Sequence, residues 1–150
     1  MKVRIASTFN TPAGQAWMAV RESKTLIYVT KGFLGFKGAE MFPVRWEKGR
    51  TEKARLLFFG IIPGWSHRLR FTEISDEKNQ LLTEEGGGII SQWNHLIKVE
   101  QKDEQSCVYT DEIEIKAGIL TPLVWMYANI FYRYRQHRWT KLIENRYDTT

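Results

Sequence analysis

From Lys2 to Phe9 the chain alternates, with Val3, Ile5, Ser7 and Phe9 on one side and Lys2, Arg4, Ala6 and Thr8 on the other. A period of two predicts a strand with one buried face. Asn10 and Thr11 offer N-cap oxygens and Pro12 suits a first helical position, predicting a short helix to about Val20. Ser23 caps a second short helix through Tyr28. Gly32, Gly35 and Gly38 then break the pattern around Phe33, Leu34 and Phe36, which read as a loop with exposed aromatics. Six more strands follow, near 41–47, 52–59, 65–74, 79–86, 91–102 and 106–117, separated by KGRT, GIIPG, SDEKN, GGG and KDEQ. The last alternates most cleanly, with Cys107, Tyr109, Asp111, Ile113 and Ile115 on its inner face. Its neighbour presents Trp93, His95, Ile97 and Val99. Residues Ile119 to Lys141 form one closing helix, apolar at its start and basic and aromatic at its end. A stripe of Leu120, Val124, Tyr127, Phe131 and Tyr134, continuing to Arg138, marks its inward face.

Composition narrows the class. A chain of 150 residues suits one domain, 1–150, with a single core. Lys plus Arg number 22 against 17 Asp plus Glu, a net charge of +5 that falls short of a dedicated nucleic-acid arm. The one cysteine, Cys107, excludes an intramolecular disulfide and a cysteine-rich metal site. The N-terminal segment lacks a signal-peptide core, and the apolar run from Ile119 stops at Arg133, short of the roughly 20 residues of a membrane span. A soluble, cytoplasmic protein is expected.

With that element order, the pattern W-x-H-x-I at Trp93 to Ile97, YTDEIEIKAG at Tyr109 to Gly118 and YRYRQHRW at Tyr132 to Trp139 resemble the SRPBCC superfamily over essentially the whole chain. That group includes START domains, plant pathogenesis-related allergens and polyketide cyclase/dehydrase-like proteins. The resemblance implies an α+β helix-grip fold: a seven-stranded antiparallel curved sheet, order 1-7-6-5-4-3-2, wrapped on a long C-terminal helix, with two short helices after strand 1. It also implies a cavity between sheet and helix for a lipid, sterol, polyketide or aromatic molecule. No cofactor is expected.

In that topology strands 3, 5 and 7 exit at one end, bringing Ile61, Ile62, Ile89, Ile90 and Leu120 together with Phe33 and Phe36. These form either a hydrophobic mouth, for ligand entry or peripheral membrane contact, or a plug of core side chains. Deeper, Trp93, His95, Tyr109, Asp111, Tyr127, Phe131 and Tyr134 are the expected cavity lining. Counting from the turn at Asp103 to Gln105 puts Asp111 opposite Ile97 and diagonal to His95. An inward carboxylate needs a partner, and Arg135 and Arg138 are the ion-pair candidates. The cluster serves either to fix helix against sheet or to contact a ligand.

Other chemistry is less favoured. Register counting sets His67 level with about Ile89, roughly 20 Å from His95, so no metal site is expected. Gly86-Gly87-Gly88 joins two strands rather than preceding a helix, which argues for a flexible hairpin and against a phosphate loop. The basic helix end complements the helix pole better than it suits nucleic acid. The leading expectation is a binder or carrier of an apolar small molecule. The rivals are a cyclase/dehydrase-like enzyme with His95 as base and Asp111 orienting it, and a protein-interaction module.

Overall fold

The computed structural model describes residues 1–147. Strand β1 (Lys2–Phe9) leads into helices α1 (Ala13–Val20) and α2 (Ser23–Thr30). Strands β2 (Leu34–Lys37), β3 (Thr51–Phe58), β4 (Ile62–Ser75), β5 (Gln80–Gly87), β6 (Ile90–Asp103) and β7 (Ser106–Lys116) follow, and α3 (Thr121–Tyr147) closes the chain. The sheet is antiparallel, in the order β1-β7-β6-β5-β4-β3-β2. This is the helix-grip arrangement.

The second strand is not where the alternation of residues 41–47 puts it. Leu34–Lys37 pairs with Phe58 to Arg55, while 41–47 runs irregularly and contributes one bridge, Arg45 to Glu22. Pro43 cannot donate to a ladder, and Trp46 leaves the surface to stack on Phe71 at 4.6 Å. The three-residue turn from β3 to β4 holds Phe59 at φ 56, a left-handed conformation that a bulky residue adopts only under constraint. Its N–H donates to the Phe33 carbonyl at 2.9 Å and its ring rests 5.7 Å from that of Phe33.

Helix α3 rests chiefly on β1 and α2, with a smaller contact to β7. Its buried residues are Val124, Ala128, Phe131, Tyr132, Arg135, Gln136, Trp139 and Ile143, so the inward stripe is turned from the one that the pattern predicts. Ala128, fully buried, lets the helix approach closely, and Gln136 donates to the Ile5 carbonyl at 2.6 Å. Tyr134 and Arg138 consequently lie on the flank toward α2. Two apolar clusters result, one around Phe9, Trp17, Tyr109 and Trp139 and one around Trp93, Ile113, Ile115 and Phe131.

Candidate functional site

Because α3 leans on one edge of the sheet, space remains between it and β2–β6. A cavity of about 330 Å³ lies there. Strands β2 and β3 contribute Leu34, Phe36, Leu56 and Phe58; β4 to β6 contribute Trp65, His67, Glu85, Ile90, Trp93 and His95. From α3 come Val124, Tyr127, Phe131, Tyr132 and Arg135, and from α2 Leu26 and Thr30. Ile89 and Leu123 line the cavity yet are 48% and 64% exposed, so they flank its opening.

One polar network stands behind the apolar wall. Asp111, fully buried, accepts from His95 Nε2 at 2.6 Å, Tyr109 Oη at 3.0 Å and Gln136 Nε2 at 3.1 Å. Arg135 Nη2 donates to Tyr109 Oη at 3.2 Å. Burial penalises charge on Asp111, but the field of Arg135 and the bond from His95 outweigh it and hold its carboxyl below the usual range. Burial likewise opposes the charge of Arg135; the oxygens of Tyr109 and Asp111 overcome this and keep the guanidinium protonated. A buried carboxylate with three donors and a nearby cation is a satisfied arrangement.

A second pair lies on the adjoining strands β4 and β5, where Thr83 stands across from His95. His67 Nε2 sits 3.0 Å from Glu85 Oε2, and Thr83 Oγ1 donates to Glu85 Oε1 at 2.7 Å. Burial opposes ionisation of Glu85; the bond from His67 and the neighbouring imidazoles prevail and lower its pKa. Four polar atoms of cavity-lining side chains have no hydrogen-bond partner among the described residues: Trp65 Nε1, His67 Nδ1, Tyr127 Oη and Arg135 Nε. Burial pushes the Tyr127 hydroxyl up to about 12, so it stays protonated.

Of the expected lining residues, Trp93, His95, Tyr127 and Phe131 meet at the cavity. Tyr109 and Asp111 lie one layer behind it, and Tyr134 lies outside, its hydroxyl donating to the Lys31 carbonyl. Arg138 does not reach Asp111; it bonds the Tyr28 carbonyl at 3.0 Å and stacks over the Tyr28 ring at 4.2 Å. Of the rim set, Phe36, Ile89 and Ile90 line the cavity, Ile90 being buried inside β6. Ile61, Ile62 and Leu120 are exposed at 78%, 52% and 40%, so they do not plug the end as core. Phe33 joins Tyr127 and Phe131 at ring separations of 5.3 and 5.4 Å.

Three residues escape the sequence reading. Glu85 follows Leu81 and Thr83 at alternate positions of β5, a period that places it inward. Gln136 lies four residues after Tyr132 on the buried side of α3. The third, Trp65, is held by the glycine turn: a Cβ on Gly88 would fall 2.3 Å from its indole, and one on Gly87 2.4 Å from the Ser66 carbonyl. That turn is shaped by close packing rather than left loose. Arg68 pairs with Gly86 and Gly87 with Ile90, so His67 lies level with the start of β6, close to where register counting puts it. Among the described residues no three His, Cys, Asp or Glu side chains gather as a metal site would require.

A family model matches residues 37–143. The chain belongs to that family, Domain of unknown function (DUF8410). No curated protein matches it in sequence. Solved structures share its fold at low identity. A protein of Chromobacterium violaceum superposes with a TM-score of 0.75 at 11% identity, covering 95% of this chain and 96% of that one. A START superfamily protein from Mycobacterium smegmatis gives 0.69 at 14%, covering 96% and 97%. Truncated norcoclaurine synthase from Thalictrum flavum gives 0.68 at 15%, covering 95% and 92%. This DUF8410 chain therefore has an SRPBCC-like fold.

Proposed function

We propose that the protein binds and carries an apolar small molecule bearing a polar acceptor group, held between the sheet and α3. The cavity carries this reading: its volume of about 330 Å³ is at the lower end of the roughly 300–1,000 Å³ of ligand pockets, and its wall is mostly aromatic and aliphatic. A ligand burying about 200 Å² of apolar surface gains about 5 kcal/mol. The unpartnered Trp65 Nε1, Tyr127 Oη and Arg135 Nε are donors, so a carbonyl, carboxylate or hydroxyl on the ligand is favoured over bare hydrocarbon. Native mass spectrometry with organic extraction of the natively purified protein tests it. The expected result is a bound small molecule whose occupancy falls at least tenfold in Val124→Trp, which fills the cavity. An empty protein that takes up no apolar compound overturns it.

A second reading is acid–base catalysis of the cyclase/dehydrase kind. It is favoured by His95, whose ring lines the cavity while Asp111 engages its Nε2. His67 with Glu85 offers a similar pair on the same cavity. Carriage is preferred because His95 is only 3% exposed and Asp111 is already saturated. Turnover of a polyketide-like substrate that falls a hundredfold or more in His95→Ala would reverse the preference.

A further inference from the structure

Between Glu114 and Glu144 the chain contains no Asp or Glu, while Lys116, Arg133, Arg135, Arg138 and Lys141 fall inside that span. Most of it is α3. The outward line of this helix reads Leu123, Met126, Ile130, Arg133, His137, Lys141, every one exposed and each three or four residues from the last. Leu123, Met126 and Ile130 are 64%, 57% and 60% exposed. The stripe thus passes from apolar to cationic along one face. At its apolar end it meets Ile119, 97% exposed, on the side where Ile89 and Leu123 flank the cavity opening. The adjoining turn segments 58–64 and 86–92 hold no charged residue.

An apolar tract of this extent on a surface marks contact with something. A second copy fits poorly. In a two-fold pair of such faces, cations meet either cations or the partner's apolar end, and the first carboxylate on the line, Glu144, comes only beyond Lys141 at its far end. An interface of acyl chains beneath a layer of phosphates offers both halves a match. We propose that this face docks the protein on an anionic lipid bilayer, with Leu123, Met126 and Ile130 at the acyl–headgroup boundary and Arg133 and Lys141 against phosphates. No described helix is long and apolar enough to cross a bilayer, so α3 would lie along the surface. Docking needs no ligand in the cavity and stands apart from the carrier reading.

Co-sedimentation with phosphatidylcholine vesicles, with and without one-third phosphatidylserine, tests the proposal. Binding to the anionic vesicles should exceed that to neutral ones at least tenfold. Arg133→Ala and Lys141→Ala should each weaken it about fivefold, the value of about 1 kcal/mol per cation. The double variant Met126→Ser/Ile130→Ser should lose binding with an unchanged melting temperature, since both side chains are exposed. The proposal is overturned if neither vesicle pellets the protein, or if the double variant binds as well as the parent. It is equally overturned if sedimentation equilibrium shows a dimer that the double variant dissolves while vesicles bind nothing. Loss of vesicle binding with ligand uptake intact leaves the carrier reading standing.

Discussion

Asp111 and His95 meet at 2.6 Å across the β6–β7 pair although the residue directly opposite Asp111 is Ile97. The bond is a diagonal one, reached because both side chains point inward and the imidazole is long enough to span the offset. Asp111→Ala leaves Arg135 buried without its counter-charge and leaves Tyr109 and Gln136 each short of an acceptor. Breaking such a centre costs about 3–5 kcal/mol, a fall of about 10 °C in Tm for a chain of this length. Thermal and urea unfolding measure it; a change within 1 kcal/mol would show that the network contributes nothing.

Both buried carboxylates carry a pH signature. Asp111 and Glu85 have folded-state pKa values below their unfolded ones, about 3.9 and 4.3. Around pH 4 the unfolded chain therefore holds more protons than the native one. Their stabilisation is complete above about pH 5 and is lost as pH falls below 4 through the lowered values. Urea midpoints should drop as pH falls below about 4, and Asp111→Asn should drop less steeply there than the parent.

Gly88 and Gly60 are matched probes of the mouth. Both have positive φ, 53 and 78, but a Cβ at Gly60 meets nothing within 4 Å while one at Gly88 strikes the Trp65 ring at 2.3 Å. Alanine at 60 should cost only backbone strain, about 1 kcal/mol; alanine at 88 should cost a further 1–3 kcal/mol and displace the indole. Equal costs in urea, with unchanged Trp65 fluorescence, would mean that the turn does not seat the indole.

Cys107 should resist modification. It is fully buried, and burial pushes its thiol up to about 11, so at neutral pH it is both protonated and covered. Labelling by Ellman's reagent should proceed only at the rate of unfolding; fast reaction of the native protein would contradict this packing.

How much of this was legible beforehand depended on how long each pattern ran. Fourteen- and eleven-residue strands such as β6 and β7 declare their faces many times over, and the Asp111–Ile97 register results from the turn after Asp103 together with a bulge between Gln101 and Asp103, which a three-residue pivot happens to reproduce. The four residues of β2 do not, since two periods around Gly35 cannot be told from a loop. Helix α3 was clear as a helix but not in rotation: Phe131 and Tyr132 are both buried, as are Arg135 and Gln136, so the stripe is broad and its centre is fixed by what it touches. Arg138 was misassigned for that reason. The His67–Glu85 pair escaped because a bulge between Phe71 and Glu73 shifts the β4–β5 register by an amount that residue types do not encode.

The helix seat and the cavity wall come from different strands. Helix α3 sits against β1 and β7, whereas no residue of either strand lines the cavity. The wall on β2 and β3 is thus built apart from the Asp111 centre, touching α3 through its free flank, as where Phe58 meets Tyr127 edge-on at 6.5 Å. The partly buried Leu34, Phe36 and Phe58 are therefore the positions at which the chamber can be resized with the Asp111 centre left in place.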